Sequence, residues 1–401
     1  MPKKNQSTLA KLAFRFVLTI GIVNLFADLT YEGARSITGP FLGSLGASAA
    51  QIGIVVGFGE LLGYSLRSVS GYLADKTHKY WLVAFVGYAI NMLAVPALAL
   101  AGNWPVAAAL IIAERTGRAI RRPTVQTMIS FAGKEIGQGW VFGLNEALDQ
   151  GGATVGPLIV ALVLYFKGGY RYGFAVLLLS ALLCLGTLVV ARILYPRPDE
   201  LERKSAHLLE TKGFPKAYWL YLAAGTFIAT GFVDFALIAF HFQKSTVVSS
   251  NLIPVFYSVA MASGAISSLL LGRFLDRIGL PVLILAFFLS ALSAPFVFLD
   301  GPVFALVGMM LWGIGNGAQS SLVKAYLAEV ISAAKRSTAF GLYDTAFGIA
   351  WFIGSATLGF LYDKSIAGLI VFSVVFQLAA LPIFFWGRTH QAQSLSSENR
   401  E

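Results

Sequence analysis

The sequence predicts an all-α integral membrane protein whose twelve spanning helices form two pseudo-symmetric halves of six. Three observations carry that expectation. Of 401 residues, 57% are hydrophobic and only 12% are charged, about half the charged share of an ordinary soluble domain. Lys and Arg cluster in alternate loops between the apolar runs. The two halves of the chain also repeat each other's motifs at a nearly constant offset.

A spanning helix needs about 20 mostly apolar residues. Segments that meet this test run 13–36, 51–74, 80–101, 105–130, 138–165, 171–195, 217–241, 251–274, 280–299, 302–330, 337–362 and 365–387. The polar, basic stretch Met1 to Lys11 precedes the first of them. No small-residue cleavage site follows that run, so it reads as a retained helix and not a signal peptide.

The loops orient the chain. Lys3, Lys4, Lys11, Lys76, Lys79, Lys134, Arg197, Arg203, Lys204, Lys212, Lys216, Arg277, Lys335 and Arg336 all fall in loops on one side. The other side holds only Lys167, Arg171, Lys244 and Lys364. The positive-inside rule then puts both termini in the cytoplasm of a multi-pass protein of the plasma membrane, in a prokaryote the inner membrane. The polar stretch Pro196 to Lys216 reads as a cytoplasmic linker (196–216) between an N-terminal half, 1–195, and a C-terminal half, 217–401, that ends in a short tail.

The halves resemble one another in three places. Gly71-Tyr-Leu-Ala-Asp75-Lys76 follows the second helix, and Gly272-Arg-Phe-Leu-Asp276-Arg277 follows the eighth. Phe142-Gly-Leu-Asn-Glu146 opens the fifth, and Phe340-Gly-Leu-Tyr-Asp344 opens the eleventh. Asp28 in the first helix has a counterpart in Asp234 in the seventh. A duplicated six-helix unit accounts for these offsets, and such repeats recur in secondary transporters.

On these residues the chain resembles the major facilitator superfamily over essentially its whole length. That family's loop between helices two and three reads Gly-x-x-x-Asp-Arg/Lys-x-Gly-x-Arg/Lys. Gly71, Asp75 and Lys76 fit it, with His78 in place of the second glycine and Lys79 one position short of the closing basic residue; the second copy fits at Gly272, Asp276, Arg277 and Gly279. The resemblance implies a cytoplasmic gate at Gly71, Asp75, Lys76, Gly272, Asp276 and Arg277, latched in one access state and released in the other. In the fifth helix, Gly143, Gly152, Gly156 and Pro157 look like the glycine-proline motif of proton-driven exporters, although Val160 and Ala161 replace its closing glycine pair. The fourth helix is similar to the family's arginine-bearing helix, with Arg115 at the arginine position and Arg118 as the alternative. The resemblance implies alternating access without an enzymatic step.

Charges inside the hydrocarbon cost about 2.5–3.5 kcal/mol each on insertion scales and so face a cavity or a partner. Asp28, Glu32 and Arg35 stand at i, i+4 and i+7 of one helix face. With Glu60, Arg67, Glu114, Arg115, Arg118, Arg121, Arg122, Glu146 and Asp149, the N-terminal half balances six acids against six arginines. The C-terminal half is sparser, with Asp234 and Asp344 its main intramembrane acids. The expected division of labour puts ion coupling in the first half and much of the solute pocket in the second. A carboxylate that alternates between an arginine partner and none is a usable proton switch, which nominates Asp28 and Glu32 with Arg35, then Glu146 with Arg118. Static pairs that only fix helix packing are the competing reading. Asn24, Tyr31, Asn145, Asn316, Gln319 and Trp351 are candidates to line the cavity; interhelical hydrogen bonding and interfacial anchoring are their alternatives.

Other classes find less support. The formal charge of +10 lies in loops instead of one basic face, which argues against nucleic acid. There is no Gly-x-x-x-x-Gly-Lys-Ser/Thr loop for ATP and no His-Glu-x-x-His zinc site, so the expected energy source is the proton gradient with no cofactor and no bound metal. The single cysteine, Cys184, excludes an internal disulfide. The expected partners are a small solute, protons and lipid, and the expected state is a monomer. Import of a polar metabolite by symport or anion exchange, export of a metal ion or siderophore, a transport-dead receptor or assembly factor, and a channel all remain open at this level.

Overall fold

The computed structural model describes residues 3–77, 79–136, 138–166, 168–198, 214–298, 301–319 and 336–398. Among the described residues, regular structure is helical throughout. The helices are α1 (Lys3–Ser44), α2 (Ala49–Thr77), α3 (Tyr80–Ala97), α4 (Trp104–Ile136), α5 (Gln138–Tyr165), α6 (Tyr170–Leu194) and α7 (Lys216–Gly231). They continue with α8 (Phe235–Ser245), α9 (Ile253–Ile278), α10 (Leu280–Ala291), α11 (Ser293–Phe298), α12 (Pro302–Gly317), α13 (Arg336–Lys364) and α14 (Ile366–Glu398). With α7–α8 and α10–α11 each taken as one interrupted rod, these correspond to the twelve expected membrane helices; of the run expected over 302–330, residues 320–330 lie outside the described residues. Among the described residues, nine rods are long and apolar enough to span by composition, and the apolar parts of α9 and α12 are shorter. The remaining rod, α4, carries Glu114, Arg115, Arg118, Arg121 and Arg122 within its 33 residues.

Two expected rods are interrupted. The run expected as one helix over 217–241 stops at Gly231 and restarts at Phe235, leaving Phe232–Val233–Asp234 non-helical and buried. Asp234 starts the second piece: its side chain accepts the Ala236 amide at 2.9 Å, a helix N-cap. Inside a membrane the carbonyls freed by such a break need donors. Trp312 Nε1 donates to Val233 O at 2.8 Å, and Ser373 Oγ and Gln377 Nε2 donate to Gly231 O at 2.7 and 3.3 Å. The ninth rod turns at Leu292 because Pro295, one turn on, has no amide to give the Ala291 carbonyl.

Helix α1 outruns its apolar core. Its 42 residues span about 63 Å at 1.5 Å per residue, because the flanking Lys, Gln, Ala and Leu residues carry the helix on past 13–36. It ends where Gly46 adopts a φ of 89°, a left-handed turn that returns the Ala47 amide to Leu42 O at 3.0 Å. Helix α2 then starts in a reciprocal cap. Ser48 N donates to Gln51 Oε1 at 2.8 Å, and Gln51 N donates to Ser48 Oγ at 3.2 Å.

The chain forms two compact units. One comprises 1–41 with 62–207, the other 42–61 with 208–401. In the first, α3 and α4 lie backbone to backbone: a Cβ on Gly117 would stand 2.7 Å from Gly87 O, and one on Gly87 would stand 2.6 Å from the Arg121 amide. Lipid tails are as apolar as the side chains they would replace, so helices in a bilayer associate through this kind of close packing and through polar contacts. In the second unit, Gly57 lets α2 approach α13 at Phe352 and Ser355.

Candidate functional site: an intramembrane charge network

Helix α1 supplies Asn24, Asp28, Tyr31, Glu32 and Arg35 to the first unit. These positions fall three or four residues apart, so one face of the helix carries them all. Helix α4 supplies Glu114, Arg115, Arg118 and Arg121 in the same rhythm, and the Gly87–Gly117 approach brings α3 close enough to add Tyr88 and Asn91.

Arg121 is the centre of one cluster. Its guanidinium lies 3.6 Å from Asp28 Oδ1, with the arginine side chain 5% exposed and the aspartate 23%. It donates to Asn91 Oδ1 at 3.1 Å and to Asn24 Oδ1 at 3.4 Å, and it stacks 4.6 Å over the Tyr88 ring. Tyr88 Oη donates to the same Asn24 oxygen. Asn91 in turn donates to Glu114 Oε1 at 2.8 Å. The amide therefore couples the acid of one pair to the arginine of another.

Tyr31 is the centre of a second cluster. Its hydroxyl accepts from Arg115, and from Arg35 at 3.5 Å, while Arg118 stacks over its ring at 4.2 Å. Glu114 lies 3.4 Å from Arg115, and Glu32 lies 4.0 Å from Arg35. A third group sits on α5, where Asn24 Nδ2 donates to Asn145 Oδ1 at 2.7 Å and Asn145 Nδ2 donates to Asp149 Oδ2 at 3.1 Å. Three acid–arginine pairs with differing access to water, linked by amides and a tyrosine, are an arrangement able to hold a proton and to answer to its loss.

The candidate residues distribute unevenly. Asp28 is paired with Arg121, one turn beyond Arg118 on α4, while Arg35 pairs with Glu32. Glu146 is exposed and takes the Gln150 amide at 3.0 Å. Asn24, Tyr31 and Asn145, read as cavity candidates, serve as connectors in the network. Glu60 is buried on α2, and Arg67 stacks 4.4 Å from the Tyr64 ring. In the second unit, Trp351 is buried against Phe232 and Phe347, with ring centroids at 5.5 and 5.6 Å. Gln319 is buried, Asn316 and Asp344 are half-buried, and Asp234 caps α8.

Gly152 and Gly156 face the backbone of α1 at Leu25, Leu29 and Gly33, so the helix-five glycines pack the helix that carries Asp28. Pro157 lies inside α5. Gly71 stands off Pro123, and Lys76 is exposed over the Tyr72 ring. The side chains of Asp75, Gly143, Gly272, Asp276 and Arg277 lie outside the described residues, so the two copies of the gate motif are seen only in part.

Sequence reasoning passed over Tyr88 and Asn91, the two α3 residues that meet Arg121. It also passed over Gln377, which donates into the helix break and, through Oε1, accepts Ser290 Oγ at 2.7 Å. The signal was present in each case, as an isolated amide or phenol inside an otherwise apolar helix.

A polytopic bundle of twelve helices, with paired charges buried in one unit and an interrupted helix in the other, defines the class of membrane solute carriers. The chain belongs to the Major Facilitator Superfamily, whose family model matches residues 20–355 and 220–399; by family it is a secondary transporter. It is 38% identical over 379 residues to an uncharacterized protein of Mycobacterium tuberculosis, covering 93% of each chain. It is 25% identical to an uncharacterized MFS-type transporter of Methanocaldococcus jannaschii, covering 87% of this chain and 89% of that one. Among solved structures, a peptide transporter POT in complex with sulfate matches with a TM-score of 0.75 at 16% identity, covering 94% of each chain. The nucleoside transporter NupG matches with a TM-score of 0.71 at 13% identity, covering 94% of this chain and 98% of that one. Likeness at these identities concerns the fold.

Proposed function

We propose that this chain is a proton-coupled exporter of a small solute, working by alternating access in a plasma membrane with both termini cytoplasmic. The observation that carries the reading is the Asp28–Arg121 pair: a partly exposed carboxylate on α1 facing a buried arginine on α4. Protonation of Asp28 removes its attraction for Arg121, and deprotonation restores it. The two protonation states therefore favour different arrangements of α1 and α4, and a solute that competes for either group couples to the proton. The energy comes from the proton gradient, with no cofactor and no chemical step on the solute. The export direction rests on the glycine-proline pattern of α5, whose glycines also serve as packing, and on the resemblance behind it. The basic loops on one side support the orientation, and a monomer suffices for the mechanism.

The test uses a strain stripped of its major pumps, expressing wild type or Asp28→Asn at matched levels. Drug and metal susceptibility and metabolites in the medium are profiled with and without an uncoupler. Protection or release by wild type alone, lost on uncoupling, is the expected result. Accumulation inside the cell makes the protein an importer, and equal behaviour of the two proteins on an active solute removes Asp28 from the switch.

A further inference from the structure

The two α1 and α5 aspartates face one arginine by different routes. Asp28 meets Arg121 directly at 3.6 Å. Asp149 reaches the same guanidinium through two side-chain amides in series. Arg121 donates to Asn24 Oδ1, Asn24 Nδ2 donates to Asn145 Oδ1, and Asn145 Nδ2 donates to Asp149 Oδ2, at 3.4, 2.7 and 3.1 Å. Every amide in this chain is oriented by both of its neighbours, so each N–H points from the arginine toward Asp149. Aligned hydrogen bonds of this kind polarise one another in a medium of low dielectric constant.

Asp149 differs from the other acids of the cluster. Asp28, Glu32 and Glu114 each have an arginine within 4.0 Å. Among the described residues Asp149 has no ion-pair partner within that distance, and its Oδ1 is closed off from solvent without a hydrogen-bond partner there. One amide donor is poor solvation for a half-buried carboxylate with one oxygen shut off from solvent, since a carboxylate offers about four acceptor sites. Protonating it breaks no ion pair, whereas protonating Asp28 does.

Resting on the proton-coupled reading above, we propose that Asp149 is a second proton site of the same switch, with Asn145 and Asn24 passing its state to Arg121 and so to Asp28. A proton leaving Asp149 puts negative charge at the end of the amide chain and draws on Arg121; a proton returning leaves Arg121 to Asp28. The charged and titratable groups around Asp149 are Asp28 on α1, Tyr88 on α3, Arg121 and Arg122 on α4, and Glu146 one turn back on α5. Cys184 of α6 donates to Val23 O on α1 at 3.4 Å. Among the described residues Arg122 forms no ion pair with either aspartate. The step is a transfer of one proton between water and the Asp149 carboxyl, with no electron pair leaving the protein.

Infrared difference spectroscopy of the full-length protein in phosphatidylglycerol–phosphatidylcholine vesicles tests this without knowledge of the solute. Wild type, Asp149→Asn, Asp149→Glu and Asp28→Asn are titrated with acid and base, and the carboxylic C=O stretching band is followed. The expected result is that one component of the wild-type titrating band is absent in Asp149→Asn, restored in Asp149→Glu and still present in Asp28→Asn. A band unchanged in Asp149→Asn but altered in Asp28→Asn overturns the proposal while leaving proton coupling intact. A band unchanged in both variants removes both readings. If Asp149→Asn does not fold, Asn145→Ala keeps the carboxyl and deletes its one donor. The band must then move in position; a band that stays in place overturns the proposal.

Discussion

Arg121 joins three helices by its side chain alone, touching Asn24 and Asp28 on α1 and Tyr88 and Asn91 on α3 from its place on α4. Its removal strands the partly exposed Asp28 carboxylate and leaves two amide oxygens short of a donor. Arg121→Ala is therefore expected to destabilise the protein by about 3–5 kcal/mol, the usual range for breaking a buried pair from one side, read as a lowered melting temperature in detergent. Arg118 stacks on a tyrosine whose hydroxyl is held by two other arginines. Arg118→Ala is expected to cost about 0.5–2 kcal/mol in the same assay. A larger loss for Arg118 than for Arg121 would reverse this ranking. Arg121→Lys keeps the charge and loses the planar fork that serves an aspartate and two amides together, so transport should fall at least tenfold with the protein still folded.

Helices α3 and α4 cross where neither carries a side chain, and that contact puts Asn91 and Tyr88 within reach of Arg121. Gly117→Leu has no room against the Asn91 amide and Gly87 O. It should lower both the melting temperature and the yield of folded protein. Gly186→Leu on α6 faces open space and should leave both unchanged. At the interrupted seventh rod, Asp234→Ala removes the α8 cap, at a cost of about 1 kcal/mol. Trp312→Phe keeps the ring stack on Phe232 but leaves Val233 O without its donor, about 1–3 kcal/mol when buried. If both variants melt like wild type, the break is not held by these contacts.

For the whole molecule, the placement of basic loops makes a prediction independent of any side-chain geometry. Fusions of green fluorescent protein, which folds in the cytoplasm, and of alkaline phosphatase, which works outside it, should report both chain ends as cytoplasmic. Opposite sides for the two ends would require an odd number of spans and contradict the twelve-rod count. Such fusions placed at Lys167 or Lys364, on the sparse side of the loop charges, should report the outside.

The sequence alone determined the membrane class, the rods and the repeat, because a bilayer imposes a minimum apolar length and forbids unpaired backbone in lipid. Both constraints act on local residues and leave a local record. It also brought out the acids and arginines of α1 and α4, because an intramembrane charge is conspicuous by its rarity. The tertiary structure alone decided that Asp28 meets Arg121 and not Arg35, and that Asp149 is reached through amides. It also decided that the seventh rod opens at Phe232 and has its carbonyls met by Trp312, Ser373 and Gln377. Contacts across helices depend on the rotation and depth of each rod, and those are set by where glycines such as Gly87, Gly117, Gly152 and Gly156 allow two backbones to touch. Helical spacing places residues on a common face, but it leaves undetermined which neighbouring helix that face will meet.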